Sequence, residues 1–264
     1  MKKLSVTIIT LNEEKNIKRC LDSVLPIADE IVVVDSLSTD KTEAICKGYD
    51  NLRFVQQKWL GYSEQKNYAN DMATYDWVFS IDADEVLSES LQQSILDWKK
   101  SDSASNECFS MNRLTNYCGH WIKHCGWYPD TKIRIWNKKV GKWTGTIHEV
   151  IDFSETMTTK KLRGDLLHYS YHSIEEHIRQ ADKFTSLTAQ TAFDNGKHGG
   201  GIAILYIKAW WKFFHDYILK LGILDGYYGY VVCKISSYAT MFKYAKLNEL
   251  NKKNNEDAKS NNNK

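Results

Sequence analysis

Trp77-Val78-Phe79-Ser80-Ile81-Asp82-Ala83-Asp84-Glu85 is a short apolar run that closes on acidic residues. Four to eight apolar residues bounded by polar ones suit a buried strand. In extended chain, side chains two positions apart point the same way, so Asp82 and Asp84 are expected to share a face at the strand end. Two carboxylates there repel unless a proton or a cation lies between them. A hard divalent ion accepts such oxygens together with those of a diphosphate. An isolated Asp-x-Asp is more often a solvated acidic turn, so the chain in front of it has to decide.

That chain alternates strand and helix. Leu4 to Thr10 is a first strand, and Asn12 is expected to open a helix with Glu13 and Glu14 at its positive end. Ile17, Cys20, Leu21, Val24 and Leu25 follow at helical spacing. Ile31 to Val34 gives a strand ending at Asp35, Lys41 to Cys46 a helix, Leu52 to Val55 a strand and Glu64 to Met72 a helix. This rhythm implies an α/β fold with a mostly parallel sheet covered by helices. Ligands of such sheets bind beyond the carboxyl ends of the strands, where Asp35 and Asp82 lie.

Downstream, Ser88 to Lys100 reads as an amphipathic helix and Ser101 to Asn106 as a loop. Strands are expected at Cys108–Arg113, Lys132–Trp136 and Leu162–His168. Ser173-Ile174-Glu175-Glu176 forms a capping box opening a long helix that stops near Asn195-Gly196. The Asn- and Lys-rich tail 251–264 has the composition of disordered chain.

Composition excludes several classes. With 35 basic and 33 acidic side chains in 264 residues, the chain lacks the basic excess of a nucleic-acid binder. Six irregularly spaced Cys make no disulfide framework, and the apolar start meets Asn12-Glu13-Glu14 too soon for a signal peptide, so a cytoplasmic protein is expected.

Thr7-Ile8-Ile9-Thr10-Leu11-Asn12-Glu13-Glu14, Ile31 to Ser36, Ser38-Thr39-Asp40, Gln65-Lys66-Asn67 and Asp82-Ala83-Asp84 together resemble glycosyltransferase family 2 in order and spacing, to about residue 250. Gly126 to Asp130 and His148-Glu149 resemble the lipopolysaccharide-core glucosyltransferases within it. The resemblance implies a GT-A fold, inverting transfer of a hexose such as glucose from a UDP-sugar, Mg²⁺ or Mn²⁺, and a glycan or glycolipid acceptor. It places Thr10, Leu11, Glu13 and Asp35 at the uridine, Lys66 at the diphosphate, and Asp82 and Asp84 at the sugar, diphosphate and metal. It divides the chain into a nucleotide-sugar half (1–100), an acceptor half (101–200) and C-terminal amphipathic helices (201–250). From the residues alone, Asp35 is equally a turn former and Lys66 a solvated helix position.

Inverting displacement needs a base for the acceptor hydroxyl, and Asp130 and then Glu149 are the candidates. His168, which resembles the C-terminal metal-binding His of some GT-A enzymes, and His148 compete as a further metal ligand; a core role for His168 stays open. Cys118-Gly119-His120 and His124-Cys125 invite a zinc site, but the spacing is unlike the usual knuckles and favours packing or acceptor contact.

Ile204 to Leu221 is apolar nearly all round, with charges at Lys208, Lys212, Asp216 and Lys220. Six Lys against Asp216, Asp225 and Glu249 lie between residues 203 and 250. An interfacial helix pair on the inner face of the cytoplasmic membrane and a plain core pair are both compatible with this pattern. Two other functions remain. A nucleotidyltransferase needs a Gly-rich basic loop where this chain has Thr10 to Glu14, acidic and without Gly. A non-catalytic membrane-surface protein would not need Asp35, Lys66, Asp82, Asp84 and Asp130 intact.

Overall fold

The computed structural model describes residues 1–145 and 149–262, with side chains described through Glu256. His148 lies outside the described residues. The chain divides into two compact units, one of Met1–Leu114 with Pro129–Tyr169, the other of Thr115–Tyr128 with the chain from Ser170 on.

In the first unit, strands β1 (Leu4–Thr10), β2 (Glu30–Asp35), β3 (Leu52–Gln56) and β4 (Trp77–Asp82) run parallel in the order β3-β2-β1-β4. Helices α1 (Ile17–Val24), α2 (Thr42–Cys46) and α3 (Tyr62–Met72) connect them. The strands are apolar on both sides because helices cover both, and Leu4, Val6, Ile8, Val33 and Ile81 are fully or nearly fully buried. Helix α1 packs on this layer through Ile17, Cys20, Leu21 and Val24, but Leu25, the last residue of the expected stripe, falls past the helix end and is exposed. The helix starts at Ile17, not at Asn12. Asn12 instead sits at φ +57° in a turn, where its side-chain oxygen accepts from the Thr39 amide at 2.8 Å. An Asn tolerates that left-handed backbone better than most residues.

Beyond β4 the chain makes β5 (Glu85–Leu87), α4 (Glu89–Lys100), β6 (Glu107–Tyr117), β7 (His120–Ile122), β8 (Asp130–Asn137), β9 (Gly141–Thr144), β10 (Val150–Phe153) and β11 (Thr158–Tyr171). Ser88 caps α4, accepting from the Leu91 amide. Strand β8 runs antiparallel to both β4 and β6, with Phe79 opposite Ile135 and Arg113 opposite Asp130. Strand β11 pairs antiparallel with β5, setting His168 opposite Glu85. These registers bring the later strands beside the acidic end of β4.

The second unit contains α5 (Ile174–Asp194), α6 (Ile202–Phe214) and α7 (Gly226–Asn262). Ser173 caps α5 as its capping box predicts, accepting from the Glu176 amide at 3.1 Å. After α6 come a π-helical turn, His215–Leu219, and a 3₁₀ turn, Gly222–Asp225. Helix α7 runs on to Asn262, across the stretch whose composition suggested disorder. Ion pairs one turn apart, Glu249–Lys253 and Lys252–Glu256, support that extension. Tyr117, Ile122, Cys125, Val232 and Cys233 form this unit's main buried cluster.

Candidate active site

Parallel pairing aligns the carboxyl ends of three strands. Thr10 lies opposite Asp35, and Ile9 opposite Asp82. Asp35 is fully buried; it accepts from the Thr10 hydroxyl at 2.9 Å and from the Ser38 amide at 2.8 Å. It therefore holds the turn after β2 as well as marking the strand end. Gln65 reaches the same turn, donating to the Ser36 hydroxyl at 3.1 Å. Thr10 is buried beside Asp35, whereas Leu11 is half exposed.

Asp82 is gripped by two cations. Lys66 Nζ lies 2.9 Å from its Oδ1 and Arg134 Nη2 2.7 Å from its Oδ2. Burial alone would push this carboxyl up, but Arg134 and then Lys66 outweigh it and hold it well below the usual carboxylate range. Lys66 is 6% exposed and lies over the Trp143 ring at 4.7 Å, so it is no solvated helix position. Arg134 also binds Glu85 at 2.6 Å. Glu85 is fully buried and accepts from the Asp82 amide at 3.0 Å. A buried arginine between two carboxylates is held more firmly protonated than usual, since their field exceeds the desolvation cost.

Asp84 does not continue the strand. Ala83 and Asp84 form a turn between β4 and β5, which replaces the extended geometry expected for the pair. The two aspartates meet different partners, since Asp84 Oδ2 faces His168 Nε2 at 3.2 Å. Burial would lower the His168 pKa, but the Asp84 carboxylate outweighs it and raises it. His168 Nδ1 and Arg134 Nε are buried without a hydrogen-bond partner among the described residues. Glu13 completes the acidic group: burial, opposed by the Asn16 amide and reinforced by Asp84, Asp40 and Asp82, pushes its carboxyl up to about 7.

Among the described residues, no three His, Cys, Asp or Glu side chains converge as a ready-made metal cage. The donor set nevertheless fits an ion shared with phosphate oxygens. Both Asp82 oxygens already hold cations, while the Asp84 carboxylate has a single partner among the described residues, the His168 imidazole, and stands in the negative field felt by Glu13. A small divalent ion is commonly held by one or two carboxylates plus substrate phosphates.

Asp130 and Glu149, the two candidate bases, differ. Asp130 pairs with Arg113 at 2.7 Å and Lys132 at 2.9 Å; burial is outweighed by Lys132 and Arg113, which lower its pKa. Glu149 is half-buried and makes no hydrogen bond or ion pair with a described residue. Burial raises the Tyr62 hydroxyl, and Glu149 and Asp82 add to it, so all three lie within electrostatic reach. The Glu149 segment is tied to α3: Ser63 donates to the Gly145 carbonyl, and Asn67 makes two 2.9 Å bonds to the Trp143 backbone.

The Cys/His cluster considered for zinc serves packing in the second unit. His124 bonds Asp225 at 2.9 Å, His120 stacks on Tyr228, and Cys125 is buried. Glu85, Arg113 and Trp143 were given no role from the sequence, and Asn67 and Arg134 entered only as members of motifs, Gln65-Lys66-Asn67 and the Arg-x-Trp of Arg134-Ile135-Trp136. Their roles arise from strand register and from α3–β9 docking, neither of which has a local signal.

A parallel sheet with Asp35, Lys66 and an arginine-held Asp82 gathered at its strand ends defines the class: a GT-A nucleotide-diphospho-sugar transferase fold. Residues 5–158 match the model of glycosyl transferase family 2, and the chain belongs to that family. An uncharacterized glycosyltransferase of Rickettsia typhi is 33% identical over 96% of this chain and 89% of its own. The lipopolysaccharide core biosynthesis glycosyltransferase LpsC of Rhizobium meliloti is 31% identical over 74% of this chain and 73% of its own. Among solved structures, Staphylococcus aureus TarS 1–349 aligns over 92% of this chain and 91% of that one, with TM-score 0.45 and 16% identity.

Proposed function

We propose that this family 2 glycosyltransferase moves a hexose, such as glucose, with inversion from a UDP-sugar to a lipopolysaccharide-core or other lipid-linked acceptor at the inner face of the cytoplasmic membrane. The observation that carries it is the Lys66–Asp82–Arg134 cluster at the strand ends. The relationship to LpsC supports the acceptor class.

Thr10, Leu11, Glu13 and Asp35 border the uridine in this reading, and Lys66 provides positive charge beside the diphosphate. A positioned cation stabilises a leaving group most as its charge develops, so Lys66 favours the transition state over the ground state. Asp82, locked between Lys66 and Arg134, orients that ammonium instead of leaving it to solvent. Asp84, with Asp82 and His168, would hold Mg²⁺ or Mn²⁺, which when bound supplies further neutralisation of the diphosphate.

For the base, Glu149 fits better than Asp130. A carboxylate already neutralised by Arg113 and Lys132 is a weak proton acceptor, whereas Glu149 has no such partner among the described residues. UDP release from UDP-glucose in the presence of a bacterial lipopolysaccharide-core preparation tests both assignments. Lys66→Met is expected to cut kcat by about 10²-fold or more. Glu149→Gln is expected to lose about 10²–10⁴-fold with UDP affinity kept, and Asp130→Asn to lose less. Wild-type turnover in Asp82→Ala/Asp84→Ala would overturn the assignment of the site, and no UDP release by the wild type would overturn the donor and acceptor reading.

A further inference from the structure

We infer that Ile202–Tyr227 is a preformed wedge that seats in the headgroup layer of an anionic bilayer, lying along the surface instead of crossing it. The inference rests on the reading of this protein as one that works at a membrane, and assigns that contact to one element.

Of the thirteen residues of α6, only Ala209 is buried, although the helix is almost wholly apolar. Trp210 is 62% exposed and Trp211 53%. The exposure continues past the helix through Leu219, Leu221, Ile223 and Leu224, the last 64% exposed. A monomer rarely leaves so long an apolar face to water unless something else covers it.

This face is held outward by its own anchors. Gly222 and Asp225 are buried on either side of exposed Ile223 and Leu224. Asp225 accepts from the Lys123 and His124 amides at 3.2 and 2.8 Å, and from His124 Nδ1 at 2.9 Å. Gly222 sits where a Cβ would meet Cys233 Sγ at 2.8 Å and Cys125 Sγ at 2.9 Å. The tip is therefore fixed before any partner arrives, which lowers the ordering cost of insertion.

Charge identifies the partner. The only two acids of the segment, Asp216 and Asp225, are withdrawn: both are buried, and Asp216 is satisfied by Lys212 and His215 at 2.9 Å. What remains displayed is positive, at Lys208 and Lys220. Lysine is depleted at protein–protein interfaces, whereas Lys beside Trp, Tyr and Leu suits anionic headgroups. No helix among the described residues is long and apolar enough to cross a membrane. At 1.5 Å per residue α6 spans only about 20 Å, short of the roughly 30 Å hydrocarbon layer. The groove between α5 and α7, a cavity of about 590 Å³ bordered by Ile178, Tyr238 and Phe242, meets the wedge segment at Tyr227, but Phe242 lies well beyond that segment in sequence and serves as an internal control.

Co-sedimentation with vesicles of phosphatidylglycerol and phosphatidylcholine, against phosphatidylcholine alone, tests this. The full chain is expected to bind the anionic vesicles and to be released largely by about 0.5 M salt. Trp210→Ser/Leu224→Ser should lower partitioning about tenfold or more, because two large apolar side chains no longer leave water. Phe242→Ser should bind as the wild type does, and unchanged circular dichroism and Tm exclude unfolding as the cause. No binding of the wild type to anionic vesicles overturns the membrane reading itself. Equal binding of wild type and wedge variant, or loss in Phe242→Ser instead, overturns the wedge while leaving membrane association standing. A wild-type dimer that the wedge variant dissolves, without vesicle binding, assigns the face to a second copy and also overturns the inference.

Discussion

Replacing Arg134 with Met removes the guanidinium that joins Asp82 and Glu85 at 2.7 and 2.6 Å while nearly keeping the side chain's volume. Asp82 retains Lys66 at 2.9 Å, but among the described residues fully buried Glu85 keeps only Arg113 at 3.5 Å and the Asp82 amide. Breaking a buried ion pair from one side costs about 3–5 kcal/mol, chiefly from the stranded charge. The residual Arg113 contact places the expected loss at the lower end, about 3 kcal/mol. With a urea slope of about 2 kcal/mol/M, the midpoint should fall by about 1.5 M. Adding Glu85→Met should recover part of the loss, since the unpaired charge disappears with it. A midpoint shift below about 0.5 M, or a double variant as unstable as the sum of the singles, would refute the argument.

His177 is buried against Tyr117, 3.0 Å from its hydroxyl, and burial depresses its pKa from 6.5 to about 4. The neutral ring is favoured by folding, so this contribution is complete above pH 6.5 and is lost as pH falls towards 4. It amounts to about 3 kcal/mol, and Tm measured across that window should fall less steeply in His177→Gln than in the wild type. Gly164 lies at φ +95° in β11, and a Cβ there would collide with the Leu91 amide nitrogen and Ser90 in the first turn of α4. Gly164→Ala should cost about 2 kcal/mol or more by urea unfolding, and a neutral result would show that α4 can move aside.

The parallel half of the sheet was legible because its signals are local. Apolar runs of strand length alternate with the stripe Ile17, Cys20, Leu21, Val24, and each strand forms close to its expected bounds, β1, β2 and β4 largely buried and β3 as a partly exposed edge. Asp35 and Asp82 could be placed for the same reason, since a strand's end is visible in one stretch of chain. Glu85, Arg113 and Arg134 were not, because their pairing depends on β8 lying antiparallel between β4 and β6, contacts made across tens of residues. The turn at Asp84 stood only as the alternative to an extended pair, since Asp-Ala-Asp-Glu carries neither Gly nor Pro to favour it. The helix expected from Asn12 failed through competition: its side chain caps a backbone amide 27 residues away instead of starting a local helix.

The docking of α3 onto β9 has a mechanical outcome. Ser63, Lys66 and Asn67, on adjacent turns of one helix, fasten to Gly145, the Trp143 ring and the Trp143 backbone. Rotating or sliding that helix to accommodate one ligand would drag the strand leading towards Glu149 with it. Asp82, through Lys66, and β9, through Asn67, are thereby yoked to a single lever, so their geometries adjust in concert rather than separately.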